Sequence, residues 1–242
     1  GKPAGKVKSI LEHGLVSVDG KATTKYNAPL KPGQTVTIGA YVPEPPANAL
    51  AASHPPILYE DRELLVIDKP AGLLTISTGS KEPEDTAYRQ MTAYVRRKNP
   101  ENRIFVVHRL DRDTSGLCMI AKDAYTASAL QGKLEKRYYA VLCGHLTGDG
   151  TISAPIARTE ASIITRCVRQ DGKPAVTHYR GLGHSADYTA VEIRLETGRT
   201  HQIRVHMTSL GHPLLGDEIY GSGKNPYHLQ GQTLHAMVLG FI

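Results

Sequence analysis

Short apolar blocks and strict apolar–polar alternation dominate this chain, and helical periodicity is confined to a few stretches. The clearest alternation spans residues 187–197, where Val191, Ile193 and Leu195 interleave with Glu192, Arg194 and Glu196. A period of two marks a strand with one buried face. Residues 57–61 and 64–68 read as a strand pair around a turn at Asp61-Arg62. Further strands are expected at 104–107, 117–121 and 138–143, with several short ones between 151 and 182 and a hairpin turn at Asp171-Gly172. Helical spacing appears at Tyr88, Met91 and Val95 behind a cap at Asp85, and at Ala127, Leu130 and Leu134. It appears again at Ile203, Met207 and Leu210 behind a cap at Thr200, ending at Gly211 and Pro213. Residues 232–239 fit a strand or a helix. Many strands with fewer helices predict an α+β fold: a mixed, mainly antiparallel central sheet flanked by helices, with a cleft across the sheet.

The N-terminal stretch reads as a separate small α+β module. Val7, Ile10 and Leu11 have helical spacing, residues 14–21 alternate and turn at Asp19-Gly20, and residues 30–38 supply another strand. Lys6, Lys8, Lys21, Lys25 and Lys31 make it basic. Pro43, Pro45, Pro46, Pro55 and Pro56 then punctuate an alanine-rich run that reads as a semi-rigid linker. The expected organisation is a module at 1–42, a linker at 43–56 and a main domain at 57–242.

The 242 residues, 40% hydrophobic and 21% charged, have the composition of an ordinary globular protein. A net charge of +6 and a pI near 9.2 favour an acidic partner, of which nucleic acid is the commonest. No apolar run approaches the ~20 residues of a membrane span, and the first residues carry no signal-peptide core. A cytoplasmic monomer with no membrane partner is expected, its N-terminus resembling a cut boundary. Cys118, Cys143 and Cys167 lack the spacing of a disulfide framework or a zinc site and are expected as reduced thiols.

Chemistry concentrates in residues 108–116, His-Arg-Leu-Asp-Arg-Asp-Thr-Ser-Gly, between two of the apolar runs. This is longer than the usual connection of about two to five residues between neighbouring strands. The plain reading is a solvated loop with Arg–Asp pairs worth ~0–1 kcal/mol each. The alternative is an Asp held rigidly at a sheet rim beside guanidinium groups, which keep a carboxylate ionised and able to act as nucleophile, base or electrostatic stabiliser. Histidines at 201, 206 and 212 invite a metal reading, but 201 and 206 lack the i, i+3 or i+4 spacing of helix-borne ligands, and no metal site is expected.

The run from His108 to Leu117 closely resembles the active-site motif of the RluA-type pseudouridine synthases, whose first motif Asp, here Asp111, is catalytic. Other segments resemble the same family: the strand pair with Lys69-Pro70-Ala71-Gly72-Leu73, Lys136-Arg137-Tyr138, residues 197–207 with 211–221, and Leu234-His235-Ala236. The resemblance implies that Arg109 fills the stack vacated by the flipped base and that Tyr138 stacks on that base. It also implies that Arg204 pairs with Asp111 and that Leu234 lies near the site. Lys69, Arg112, Arg199 and His201 are candidate RNA contacts. The N-terminal pattern resembles the C-terminal half of the S-four type of RNA-binding module. The implied activity is an isomerase converting uridine in RNA to pseudouridine, without cofactor. Ribosomal RNA of the large subunit is the first expected substrate and transfer RNA the second.

Two rivals come from other classes. A glycoside hydrolase would use Asp111 with Asp113, but adjacent loop residues rarely flank a sugar from both sides, and the chain has no Trp for a sugar platform. A non-catalytic RNA-binding protein would account for the charge but not for the Asp-bearing loop.

Overall fold

The computed structural model describes residues 16–23, 29–38, 54–79, 84–162, 164–221, 223 and 225–241. The chain divides into two compact units, Gly1–Ala51 and Ala52–Ile242.

In the first unit β1 (Val16–Val18), β2 (Lys21–Ala22) and β3 (Val36–Ile38) form an antiparallel sheet in the order β2-β1-β3. The expected Asp19-Gly20 hairpin is present, both residues at positive φ (49° and 77°), the backbone that matches the twist of a tight hairpin. The Asp19 carboxylate accepts hydrogen bonds from the Thr35 N–H and the Gln34 amide, tying this turn to the start of β3. The helix expected around Val7, Ile10 and Leu11, and nearly all of the proline–alanine stretch, lie outside the described residues.

The second unit carries β4 (Ile57–Glu60), β5 (Leu64–Lys69), β6 (Phe105–Val106), β7 (Ser115–Ala121), β8 (Glu135–Cys143), β9 (Asp149–Ser153), β10 (Ile156–Arg158), β11 (Arg166–Val168), β12 (Val176–His184), β13 (Tyr188–Leu195) and β14 (Leu234–Gly240). Its helices among the described residues are α1 (Ala87–Arg96), α2 (Ala124–Leu130) and α3 (Gln202–Ser209). A nine-stranded sheet runs β4-β5-β7-β14-β8-β13-β12-β9, with β6 also paired to β7. The β10–β11 hairpin stands apart. Every pairing in the large sheet is antiparallel except that of β14 with β7.

β7 is an unbroken apolar run because both of its faces are covered. Cys118 and Ile120 join the main core with Ala87, Met91 and Val95 of α1, whereas Met119 and Ala121 pack with Leu64, Leu130 and Leu134. β13 alternates as its sequence requires, with Val191 and Ile193 fully buried. The last strand, β14, inserts between β7 and β8 and so completes the middle of the sheet. Gly116 permits this: it has φ 106°, and a Cβ there would lie 2.3 Å from the Ala236 carbonyl oxygen.

Three local expectations shift. α1 is capped by Thr86, whose hydroxyl accepts from the Arg89 N–H, while Asp85 instead takes the Gln90 amide. α2 stops at Leu130, and Leu134 reaches its apolar cluster from beyond a turn at Gly132 rather than from a further helical turn. The residue flanking α3 is His201, not Thr200.

Candidate active site

The loop between β6 and β7 is pinned at alternate residues. The Cys118 thiol reaches the His108 carbonyl at 3.7 Å. The Thr75 hydroxyl accepts from the Leu110 N–H (3.1 Å) and donates to the Leu110 carbonyl (2.8 Å). The Lys69 ammonium donates to the Arg112 carbonyl at 2.9 Å, and the Gln232 amide donates to the Thr114 hydroxyl at 3.1 Å. These anchors come from β5, β7 and the segments beside α1 and β14, and they add to a local turn bond from the Thr114 N–H to the Asp111 carbonyl at 3.2 Å.

His108, first residue of the motif, is structural. Its Nε2 accepts the Met119 N–H at 3.1 Å, which places the ring proton on Nδ1. That atom is buried without a hydrogen-bond partner among the described residues. Burial, and secondarily the Lys136 charge, pushes its pKa down to about 3. A permanently neutral ring cannot serve as a general base here.

Asp111 Oδ2 lies 3.5 Å from Arg204 Nη1 and 3.9 Å from His201 Nε2. Arg204 projects from α3 and is itself clamped. Its Nε and Nη2 donate to the two carboxylate oxygens of Asp217, both at 2.7 Å, a bidentate pair that leaves Nη1 aimed at Asp111. Burial opposes the guanidinium charge, but Asp217 and Asp111 outweigh it and raise the pKa of Arg204. Asp217 also accepts the Ile219 and Tyr220 N–H groups, each at 3.0 Å, and the Tyr220 ring lies 5.0 Å beneath the guanidinium. Burial alone would raise the Asp217 pKa, yet its bonds to Arg204 hold it below the ordinary value.

Tyr138, on β8 between β13 and β14, is only 6% exposed, and burial followed by the Asp111 carboxylate raises its phenol pKa. Leu234 lies in the same apolar cluster as Tyr138, Leu110 and Ile203. Asp111, Tyr138, Arg204, His201 and Leu234 therefore belong to one neighbourhood, and the ring of His201, expected as an RNA contact, is almost buried facing Asp111. Arg109 and Arg112 are exposed on the loop, and Arg112 Nε contacts Asp113 at 3.2 Å. Asp113 thus faces Arg112 while Asp111 faces Arg204, an arrangement unlike the opposed carboxylates of a glycosidase.

Lys69 corrects an expectation. It is fully buried, and its three N–H groups go to the carbonyls of Pro70, Leu73 and Arg112 at 2.8, 2.7 and 2.9 Å. Burial pushes its pKa down to about 8, which still leaves it protonated at neutral pH. With its donors consumed and no exposed surface, Lys69 braces the Asp111 loop and is not an RNA contact. The three histidines also separate, His201 bonding to Tyr220, His206 to Thr177 and the Ala154 carbonyl, and His212 to the Cys143 carbonyl.

The sequence pattern assigns no role to Asp217, Tyr220, Thr75 or Gln232, although Asp217 and Tyr220 lie within residues 211–221, which resemble the family. The signal available in the sequence is the run Gly216-Asp217-Glu218-Ile219-Tyr220, an Asp and a Tyr three residues apart shortly after α3. A groove of about 460 Å³ is lined by Arg158, Arg166, Lys173 and Arg199, together with Asp171 and Thr200. Arg199 is exposed along it, with its Nε on the Pro174 carbonyl.

Residues 63–209 match the model of the RNA pseudouridylate synthase family. The chain is 36% identical to the ribosomal large subunit pseudouridine synthase D of Yersinia pestis, over 98% of this chain and 74% of that protein. It is 40% identical to the uncharacterized RNA pseudouridine synthase YlyB of Bacillus subtilis (strain 168), over 98% of this chain and 80% of that one. Among solved structures, human RNA pseudouridylate synthase domain containing 1 superposes with a TM-score of 0.62 at 29% identity, over 78% of this chain and 79% of that chain. The family match includes the pinned Asp111 loop and α3 with Arg204, and on that basis the chain belongs to the RNA pseudouridylate synthases.

Proposed function

We propose that this chain isomerises specific uridines of large-subunit ribosomal RNA, with Asp111 as its catalytic group. The observation that carries the reading is one carboxylate oxygen facing a guanidinium whose other two nitrogens are clamped by a buried Asp. The choice of RNA rests on the large-subunit activity in the name of the Yersinia relative. In the reaction the N1–C1′ bond breaks, the uracil turns, C5 bonds to C1′ with loss of the C5 proton, and N1 takes up a proton. An ionised Asp111 beside the ribose serves attack at C1′, addition at C6 or removal of a sugar proton alike.

A base inside folded RNA must first be extruded, at a cost of a few kcal/mol. The exposed Arg109 is positioned on the loop to fill the vacated stack, and Tyr138 lines the floor on which the uracil rests. Arg112 and the groove with Arg158, Lys173 and Arg199 offer charge to the flanking phosphates. The N-terminal module, residues 1–42, adds binding strength as an S-four-type element; its lysines and three-stranded sheet support this.

The test is release of tritium from RNA labelled at uracil C5, followed by mapping of the modified position. Release from a large-subunit transcript is expected. Release from transfer RNA alone would move the substrate, and none from total RNA would defeat the enzymatic reading. Removing residues 1–42 should weaken RNA binding more than it lowers turnover at saturation.

A further inference from the structure

His201 occupies a position where the backbone favours glycine, with φ 57° and ψ 20°, at the start of α3. A left-handed non-glycine residue costs free energy and persists where the surroundings over-determine it. The side chain does not repay this by capping the helix, since it makes no capping hydrogen bond. It turns instead into the site, where its ring is almost buried and meets the Tyr220 ring edge-on with centroids 5.6 Å apart.

The hydrogen bonds around Tyr220 decide which nitrogen carries the proton. The Tyr220 hydroxyl accepts the Arg166 backbone N–H at 2.8 Å and lies 2.8 Å from His201 Nδ1. If the hydroxyl donates to Nδ1, its proton is used and Nε2 bears the N–H. In the opposite tautomer the phenolic proton has neither of these partners, and the Nε2 lone pair confronts the Asp111 carboxylate 3.9 Å away. The first arrangement uses the phenolic proton and turns an N–H rather than a lone pair towards Asp111.

We propose that His201 is a positioning residue: its Nε2–H, locked in place by Tyr220, orients Asp111 Oδ2 together with Arg204. This rests on Asp111 being the catalytic group. The 3.9 Å separation is beyond a hydrogen bond, and such contacts commonly tighten only when substrate closes the site. The charged and titratable groups around the ring are Asp111, Arg204, Arg166, Asp217 and Tyr220. Burial, with Arg204 and Arg166, holds the imidazole pKa below its ordinary value against the pull of Asp111, so the ring is a neutral donor at neutral pH.

Two measurements test this on the full chain. Nitrogen-15 NMR of histidine-labelled protein, with the His201 signal identified by its loss in His201→Gln, should show the Nε2–H tautomer, and Tyr220→Phe should abolish that preference. With a C5-tritiated large-subunit transcript, His201→Phe and Tyr220→Phe should lower kcat roughly 10- to 100-fold, the worth of one hydrogen bond to a charged group. KM should stay within about threefold, because the interaction is made to the enzyme's own carboxylate. His201→Gln, which can present an N–H at a similar place, should recover most of the loss. Tyr220→Phe leaves the strained backbone untouched and so remains informative if His201→Phe fails to fold. An Nδ1–H tautomer in the wild type, or an unimpaired kcat in Tyr220→Phe, overturns the proposal. An active Asp111→Asn enzyme would overturn the catalytic assignment instead, and the NMR result would still stand by itself.

Discussion

Replacing Asp217 with Asn removes the charge that aims Arg204 while preserving side-chain size. The side chains of Arg204 and Asp217 are 5% and 1% exposed, so the substitution leaves a guanidinium buried with half of its clamp gone. Breaking a buried pair by removing one partner costs about 3–5 kcal/mol. In a domain of this size that lowers Tm by roughly 6–20 °C, at ~2–4 °C per kcal/mol. The acid limb carries the same signature. The folded pKa of Asp217 lies below its unfolded value, so its contribution is complete above that unfolded value and is lost as pH falls through the folded pKa. Asp217→Asn should therefore flatten the loss of stability below about pH 4. The double variant Arg204→Met with Asp217→Leu separates fold from chemistry. Apolar replacement of both partners is often neutral, so Tm should largely return while tritium release stays absent. Melting by circular dichroism and the release assay read both quantities. An Asp217→Asn protein with wild-type Tm and turnover would refute the clamp, as would an active double variant.

Three further outcomes follow from the same geometry. Asp111→Asn should abolish tritium release while leaving RNA affinity and Tm nearly unchanged, whereas Asp113→Asn should keep most activity; comparable losses at both would favour the two-carboxylate rival. Gly116→Ala places a methyl 2.3 Å from the Ala236 carbonyl oxygen at φ 106°. Strain plus overpacking there should cost about 2–6 kcal/mol by denaturant titration, with activity falling because the β7–β14 junction also carries the catalytic loop. His108, with a folded pKa of about 3 against about 6.5 unfolded, binds fewer protons than the unfolded chain between those values. Stability should therefore fall as pH drops from 6.5 towards 3, by at most about 4–5 kcal/mol, and His108→Gln should flatten that window in urea titrations at successive pH values.

Local features of the fold were legible because they rest on short-range physics. The Asp19-Gly20 hairpin follows from two residues that tolerate positive φ, and β13 follows from the alternation through Val191, Ile193 and Leu195. The Asp111 loop announced itself as a polar run too long and too charged for a turn between apolar strands. The tertiary structure decided the partners. Arg204 points at Asp111 because Asp217, 13 residues later, occupies its other two nitrogens, and nothing in the period of α3 encodes that. Lys69 read as a candidate RNA contact, yet the β5 end and the loop leave three carbonyls facing inward that its ammonium satisfies. His201 was expected one residue inside a Thr-capped helix, and only the packed site accounts for its left-handed backbone. β14 could have been strand or helix until the gap between β7 and β8, open at Gly116, admitted it. Periodicity records which face of an element is buried. Which distant polar groups meet across that face depends on the acceptors and charges that the assembled core leaves unsatisfied.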